Sequence, residues 1–301
     1  MSQTALITAT IRAIHNEHHA QRIFEDPIAA QLLNDADREL CEKLLLDGFK
    51  ALAPSVDIDL IGRNTALSKV VEMGGGSAFV LSRERYTEDL LELLISQGVS
   101  QYVLLGAGLD TFALRNNIDF KKLKVFEVDH LATQKAKQEK IVTAGLALPA
   151  MLEFVPCDFT QTQVDESLLT APSFSTTKQS FFSWLGVTYY LSRETIFDVV
   201  RAISRVSTSE SSLVFDFLDP DTFDPCRSAE RFKPVVDGVV ELGEPFLSGL
   251  SPETLEQDLA ECGFQLRELL SPIEIQDRYF SGRKDSMYAA EHAYFAWASS
   301  K

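Results

Sequence analysis

The 301-residue sequence has no apolar run approaching the roughly 18 residues a membrane-spanning helix needs. Its opening, M-S-Q-T-A-L-I-T-A-T-I-R, has neither a basic start nor a long apolar stretch, so a signal peptide is not expected and a cytoplasmic location is. Positive charge is scarce, with 28 Lys+Arg against 44 Asp+Glu and a net charge of −16. Phosphate binding is driven by clustered cations, so nucleic acid and anionic membranes are not expected partners. Cysteine is sparse: Cys41, Cys157, Cys226 and Cys262 are far apart and form no C-x-x-C. Neither a zinc site nor a disulfide framework is expected, and no metal is assigned. With 45% apolar and 24% charged residues, collagen, coiled coil and bulk disorder are excluded as well.

What is present reads first as helix, then as alternating strand and helix. Apolar residues recur at helical spacing in Ile28-Ala29-Leu32-Leu33, after Asp26 as cap and Pro27, and in Leu40-Leu44-Leu45. A third helix is expected over Ile58 to Val71, stopped by Gly74-Gly75-Gly76, and a fourth over Tyr86 to Ser96. From Tyr102 the pattern changes. Buried strands are expected at Tyr102–Leu105, Leu123–Val128, Leu152–Val155, Gln179–Trp184 and Ser212–Leu218, with helices at His130–Val142 and Arg193–Ser204. The stretch Thr160–Ser180 reads as a loop with a helical turn. Asp219–Gly249, rich in Pro and Gly, reads as a lid or insertion. A helix from Pro252 to Cys262, capped by Ser251, and strands at Phe264–Leu270 and His292–Ala298 complete the chain. The expected fold is α/β, Rossmann-like: a mostly parallel seven-stranded sheet with a C-terminal antiparallel hairpin and an N-terminal helical cap. A single domain of residues 1–301 would then comprise a cap (1–98), a cofactor-binding core (99–218), the lid (219–250) and a closing segment (251–301).

Chemistry concentrates between Tyr102 and Asp129. A strand ends in Gly106-Ala107-Gly108-Leu109-Asp110-Thr111, and the next strand ends in Glu127-Val128-Asp129. Glycine lets the backbone approach a ligand closely, and a carboxylate ending the second strand can accept both hydroxyls of a ribose. A dinucleotide fingerprint wants a third glycine where Thr111 stands, and no Gly-Lys-Ser/Thr follows to make a P-loop. S-adenosylmethionine, a nucleoside without phosphate, fits this turn better.

Leu105-Gly106-Ala107-Gly108-Leu109-Asp110-Thr111 with Phe126-Glu127-Val128-Asp129 resembles the leucine carboxyl methyltransferase family, in its bacterial branch. So do Phe24-Glu25-Asp26-Pro27-Ile28-Ala29, Ser82-Arg83-Glu84-Arg85-Tyr86, Cys157-Asp158-Phe159 and the block Ser183 to Leu191. The resemblance implies an S-adenosylmethionine-dependent O-methyltransferase acting on a small-molecule or carboxylate acceptor. It implies that Gly106, Ala107 and Gly108 pass under the methionine part, Asp129 holds the ribose, Asp158 takes the adenine amino group and Phe159 packs beside the ring. Arg83, or else Arg85, would pair with the cofactor carboxylate, with Arg12 as a further basic residue near it. The eukaryotic enzymes carry a glutamate where this chain has Leu185, which weakens transfer of their protein substrate.

Trp184, Tyr189 and Tyr190 follow the fourth strand, where an acceptor should sit. Phe217, Phe223, Phe232 and Phe246 lend the lid an apolar character, although all these aromatics could equally be core. A carboxylate acceptor is already ionised and needs no base; a hydroxyl would, and no catalytic residue is assigned. His15, His18 and His19 have metal-like helical spacing but no completing carboxylate or thiol, so a solvated helix face is the simpler account. His130 could edge the adenine or merely start a helix, and the triple glycine could be a hinge. A nicotinamide-dependent oxidoreductase shares the strand–glycine–strand–acid logic, and a non-catalytic cofactor-binding protein is a third possibility; the chain lacks a Tyr-x-x-x-Lys hydride-transfer set.

Overall fold

Strand β1 (Gln101–Leu105) is buried at all five positions and lies inside the sheet, third from one edge. It pairs in parallel with β2 (Lys124–Asp129) on one side and β4 (Ser180–Trp184) on the other. β3 (Leu152–Pro156) extends the first side, and β5 (Ser212–Leu218) the second. β7 (Ala293–Ser300) then inserts antiparallel between β5 and the edge strand β6 (Phe264–Leu270), giving the order β3-β2-β1-β4-β5-β7-β6. These elements come from a computed structural model that describes residues 2–115 and 123–301, the side chains of residues 51 and 52 aside.

Side chains alternate across each strand, and this sorts the core into two layers. Tyr102, Leu104, Phe181 and Val214 face the N-terminal helices, while Val103, Leu105, Phe182, Trp184, Phe215 and Phe217 face the opposite layer. On the first face lies α5 (Gly75–Ile95), with Phe79, Leu81, Tyr86, Leu90 and Leu94 buried. It is joined by α1 (Gln3–His18), α2 (Asp35–Leu52), α3 (Ile58–Ile61) and α4 (Arg63–Met73). α6 (Leu131–Thr143) follows β2, α7 (Val164–Leu169) follows β3, and α8 (Arg193–Val206) follows β4. α8 buries a stripe of Ile196, Phe197, Val199, Val200 and Ile203, and Ser192 caps it by accepting from the Thr195 N–H.

Several boundaries depart from the sequence pattern. Asp26 does cap, its Oδ1 accepting from the Ile28 and Ala29 N–H groups, but the residues it caps form a single 3-10 turn, Ala29–Leu32. The helix expected over Ile58 to Val71 is broken at Gly62, whose φ is +82°. The triple glycine does stop the third helix, α4 ending at Met73 with Gly74 as its C-cap, but a new helix begins at once: Gly75 and Gly76 are the first residues of α5, packed against Phe232 and Val235. The fourth helix therefore starts about three turns earlier than its apolar stripe indicates. The 219–249 segment contains α9 (Lys233–Glu241), and α10 (Leu255–Glu261) begins after Thr254, with Ser251 bonded to Glu253 instead. A short helix after the glycine turn appears as the 3-10 turn Phe112–Leu114; residues 116–122 lie outside the described residues.

Candidate functional site

A cavity of about 610 Å³ opens beyond the carboxyl ends of β1, β2 and β4, where strand order reverses about β1. Its floor is the glycine turn. Gly106 has φ +72°, and a Cβ there would lie 2.4 Å from Val187 Cγ2, so no side chain fits. Gly108, at φ +48°, sends its N–H to Asp129 Oδ2 at 2.7 Å, while Oδ1 accepts from the His130 N–H at 2.6 Å. Burial pushes the Asp129 carboxyl up, and these two N–H bonds hold it down in part. Thr133 and Phe159 complete this end, with Phe159 edge-on to Trp184 at 6.1 Å between ring centroids.

At the opposite end, α5 and α1 supply charge. Arg83 is buried and its Nη1 donates to Asp216 Oδ2 at 3.0 Å and to the Tyr189 hydroxyl at 2.9 Å. Asp216 is fully buried on β5, facing the same layer as Val214, and its Oδ1 accepts from the Gly186 N–H at 2.7 Å. The Arg83 Nε is buried without a partner. Arg12 Nε donates to Asp26 Oδ2 at 2.9 Å and its Nη2 to the Leu109 carbonyl at 2.7 Å, which ties α1 to the glycine turn. Glu84 sits between these arginines on the cavity wall. Burial and neighbouring Asp110 push its carboxyl up to about 7, against the pull of Arg12 and Arg83.

The third wall is aromatic. Tyr189 and Tyr190 line it. They meet each other and Phe246, which is not on the lining, edge-on or tilted at 4.7–5.4 Å, and the Leu247 N–H bonds the Tyr189 carbonyl at 2.6 Å. Burial raises both tyrosine hydroxyls, Tyr190 to about 12 and Tyr189 further, so neither is a phenolate at neutral pH. Glu244 crosses from the 219–249 segment to cap α1, accepting from the Gln3 and Thr4 N–H groups and the Ser2 and Thr4 hydroxyls. An anion at a helix N-terminus meets both the orphan donors and the dipole.

Comparison with known proteins agrees with this geometry. The sequence matches the family described as leucine carboxyl methyltransferase over residues 5–204. The chain belongs to the leucine carboxyl methyltransferase family. It is 36% identical over 300 residues, 100% of this chain and 98% of the other, to a Bacillus subtilis (strain 168) protein named "Putative S-adenosyl-L-methionine-dependent methyltransferase YktD". A similarly named protein of Parafrankia is 28% identical, covering 89% of this chain and 78% of its own length. The solved structure of a DUF574 family protein from Streptomyces avermitilis superposes with a TM-score of 0.61 at 14% identity, covering 100% of this chain and 98% of that one. A Thermobifida fusca structure follows at 0.53 and 18%, covering 85% and 94%. At such identities these two speak for the fold alone.

In this methyltransferase, Arg12, Arg83, Gly106, Ala107, Gly108, Asp129, Phe159, Tyr189 and Tyr190 all line the cavity. Arg85 is exposed and paired with Asp89. Asp158 lies beside the cavity rather than on its lining. Both of its bonds, from the Thr160 N–H and hydroxyl, go to Oδ1, leaving Oδ2 for a ligand. Trp184 is fully buried in the opposite layer, as strand alternation requires of a residue two along from Phe182. Of the four phenylalanines, Phe246 stacks on the tyrosine wall, Phe217 and Phe232 are core, and Phe223 faces solvent. The solvated-face account of the histidines fails: His15 and His19 are buried, His15 Nε2 accepting from the Ile23 N–H, and desolvation lowers both. Among the described residues no cluster of His, Cys, Asp and Glu has metal-holding geometry. His130 caps α6 through its Nδ1. The sequence pattern assigns no role to Glu84, Asp216 or Glu244. A signal for Glu84 is nonetheless present: it adjoins Arg83 in a helix whose neighbours Val80, Leu81 and Leu91 are buried.

Proposed function

We propose that this methyltransferase moves a methyl group from S-adenosylmethionine to an oxygen atom of a small acceptor, a phenol or a carboxylate. The observation that carries the reading is the Gly108–Asp129 contact at the cavity floor, where a glycine turn with no room for a side chain meets a carboxylate ending the next strand. Asp129 accepts the ribose hydroxyls, exchanging the Gly108 N–H for a ligand donor. Phe159 packs beside the adenine and Asp158 Oδ2 takes its amino group. Arg83 and Arg12 face the carboxylate of the amino-acid end.

S-adenosylmethionine supplies, when bound, a methyl group already activated by its sulfonium. The protein's part is alignment and exclusion of water. Tyr189 and Tyr190 offer an aromatic wall to an acceptor, with Phe246 packed against both, and Glu244 holds α1 against the 219–249 segment. Residues 1–98 are a cap over the core, since Thr4, Arg12, Arg83 and Glu84 all line the cavity. We place the protein in the cytoplasm, which suits its unbonded Cys41, Cys157, Cys226 and Cys262; no described helix is long and apolar enough to cross a membrane.

Calorimetry with S-adenosylhomocysteine and with NAD tests the donor. Wild type is expected to bind the first and not the second, and Asp129→Ala to lose about tenfold or more in affinity, because each bond to a charged acceptor is worth about 1.5–3 kcal/mol. Unchanged affinity in that variant would move the site elsewhere. A methyl-transfer screen on phenols and small carboxylic acids then identifies the acceptor class.

A further inference from the structure

Among the described residues, Glu84 is the one carboxylate at the arginine end of the cavity that receives no hydrogen bond from the protein. Its side chain is 10% exposed, and its nearest cation, Arg12 Nη1, stands 4.0 Å away, too far for a hydrogen bond. No hydrogen bond to its carboxylate occurs among the described residues. Every charged group around it has another commitment. Arg12 on α1 is held by Asp26, and Arg83 on α5 by Asp216. Glu88, one turn along α5, is held by Arg115, and Asp110, after β1, accepts from the Phe112 N–H. The two arginines are therefore already neutralised by Asp26 and Asp216, and Glu84 is surplus negative charge facing the cavity. A buried carboxylate without donors is costly. It becomes favourable when a ligand brings a cation with N–H groups.

We propose that Glu84 binds the ammonium group of the methyl donor's amino-acid end, while Arg12 and Arg83 face its carboxylate. This role rests on the donor reading of the cavity and deepens it. A zwitterion matches this pole better than a simple anion does: its carboxylate meets arginines that still have N–H groups, and its ammonium meets the carboxylate that has no donor. Because the free carboxyl titrates near neutrality, binding the ammonium also expels a proton from Glu84.

The test titrates the full-length protein with S-adenosylhomocysteine and with 5′-methylthioadenosine, which keeps the adenosine and sulfur but lacks the amino-acid end. Calorimetry runs at pH 7 in two buffers of different ionisation enthalpy. Glu84→Gln is expected to weaken S-adenosylhomocysteine by about tenfold or more and methylthioadenosine by less than about twofold. Glu84→Asp, which keeps the charge, should recover part of the loss. Wild type should release about half a proton on binding S-adenosylhomocysteine and none with methylthioadenosine, and the release should vanish in Glu84→Gln. Subtracting the variant removes any contribution from the ligand's own amine. Equal weakening of both probes marks Glu84 as a fold residue and overturns the proposal. So does unchanged affinity for S-adenosylhomocysteine, or proton release that persists in Glu84→Gln. Should wild type bind neither probe, the donor reading itself fails and the proposal with it, an outcome distinct from the others.

Discussion

Glu84→Gln should stabilise the ligand-free protein, and only above a certain pH. In the fold the Glu84 carboxyl lies at about 7 instead of the ordinary 4.5. Below pH 4.5 it is protonated in both the folded and unfolded states and contributes nothing. Between pH 4.5 and 7 the unfolded chain releases a proton that the folded chain keeps, so stability falls as pH rises, by at most about 1.36 kcal/mol per pH unit. Above pH 7 the loss is complete. The whole window bounds it at about 3 kcal/mol, and local relaxation brings it to about 2. Glutamine has the same shape and does not ionise, so it escapes this loss. At about 2–4 °C per kcal/mol the variant's advantage in Tm over wild type should widen by about 4–8 °C between pH 5 and pH 8. Thermal melts without ligand, repeated with urea denaturation, measure it. A gap that stays flat with pH would mean that Glu84 is ionised and satisfied in the fold, and would refute the charge count around it. A variant more stable yet weaker in binding is the pattern expected of a residue retained for a ligand.

Gly186→Ala combines a positive φ of +74° with a Cβ 2.7 Å from Arg83 Nη2, whereas Gly145→Ala has φ +69° and nothing within 4 Å. The first should cost about 2–3 kcal/mol in urea denaturation and weaken S-adenosylhomocysteine, the second about 1 kcal/mol with binding intact; equal costs would show that only backbone strain matters. Tyr190→Phe and Phe246→Ala should change acceptor turnover and leave S-adenosylhomocysteine affinity alone, as calorimetry and a methyl-transfer assay together report. A fragment beginning near Gln101 should bind S-adenosylhomocysteine poorly or fail to fold, because Arg12, Arg83 and Glu84 are lost with the cap; tight binding by it would separate the cap from the site.

The strands were legible because a parallel sheet covered on both faces needs short, largely apolar runs: Tyr102–Leu105 is wholly apolar, and Leu123–Val128 and Ser212–Leu218 are apolar except at Lys124, Glu127, Ser212 and Asp216. The glycine turn and Asp129 stood out for a related reason, since their contact is set by local backbone and strand ends. The helical cap was harder. The glycine run does break the helix at Gly74, yet Gly75 and Gly76 open α5, where a Cβ would come within 3.3 Å of Phe232 at the first and 3.4 Å of Val235 at the second. That contact joins positions more than 150 residues apart, and no local pattern encodes it. The same holds for Arg83 with Asp216, 133 residues apart, and for Glu244 with the start of α1. Trp184 was drawn toward the acceptor by its place after β4, but alternation along the strand sends it to the other layer, and parity from Phe182 already implied this.

The charge arrangement bears on the acceptor as well. Arg12 and Arg83 are the cations among the described residues lining the cavity, and each is bonded to its own buried carboxylate before any ligand arrives. In the proposed donor orientation, what charge they have left faces its amino-acid end. Tyr189 and Tyr190 share their part of the lining instead with Glu244. Burial pushes its carboxyl up, but the Thr4 and Ser2 hydroxyls and backbone N–H groups outweigh this and hold it low, so it stays ionised. A carboxylate acceptor on that wall would meet an anion and no unpaired cation, a repulsion that a neutral phenol avoids. The acceptor screen should therefore favour phenols. If small carboxylic acids are methylated faster, Arg12 or Arg83 must be serving the acceptor, and Arg83→Lys should then raise the KM for the acid while leaving S-adenosylhomocysteine affinity unchanged.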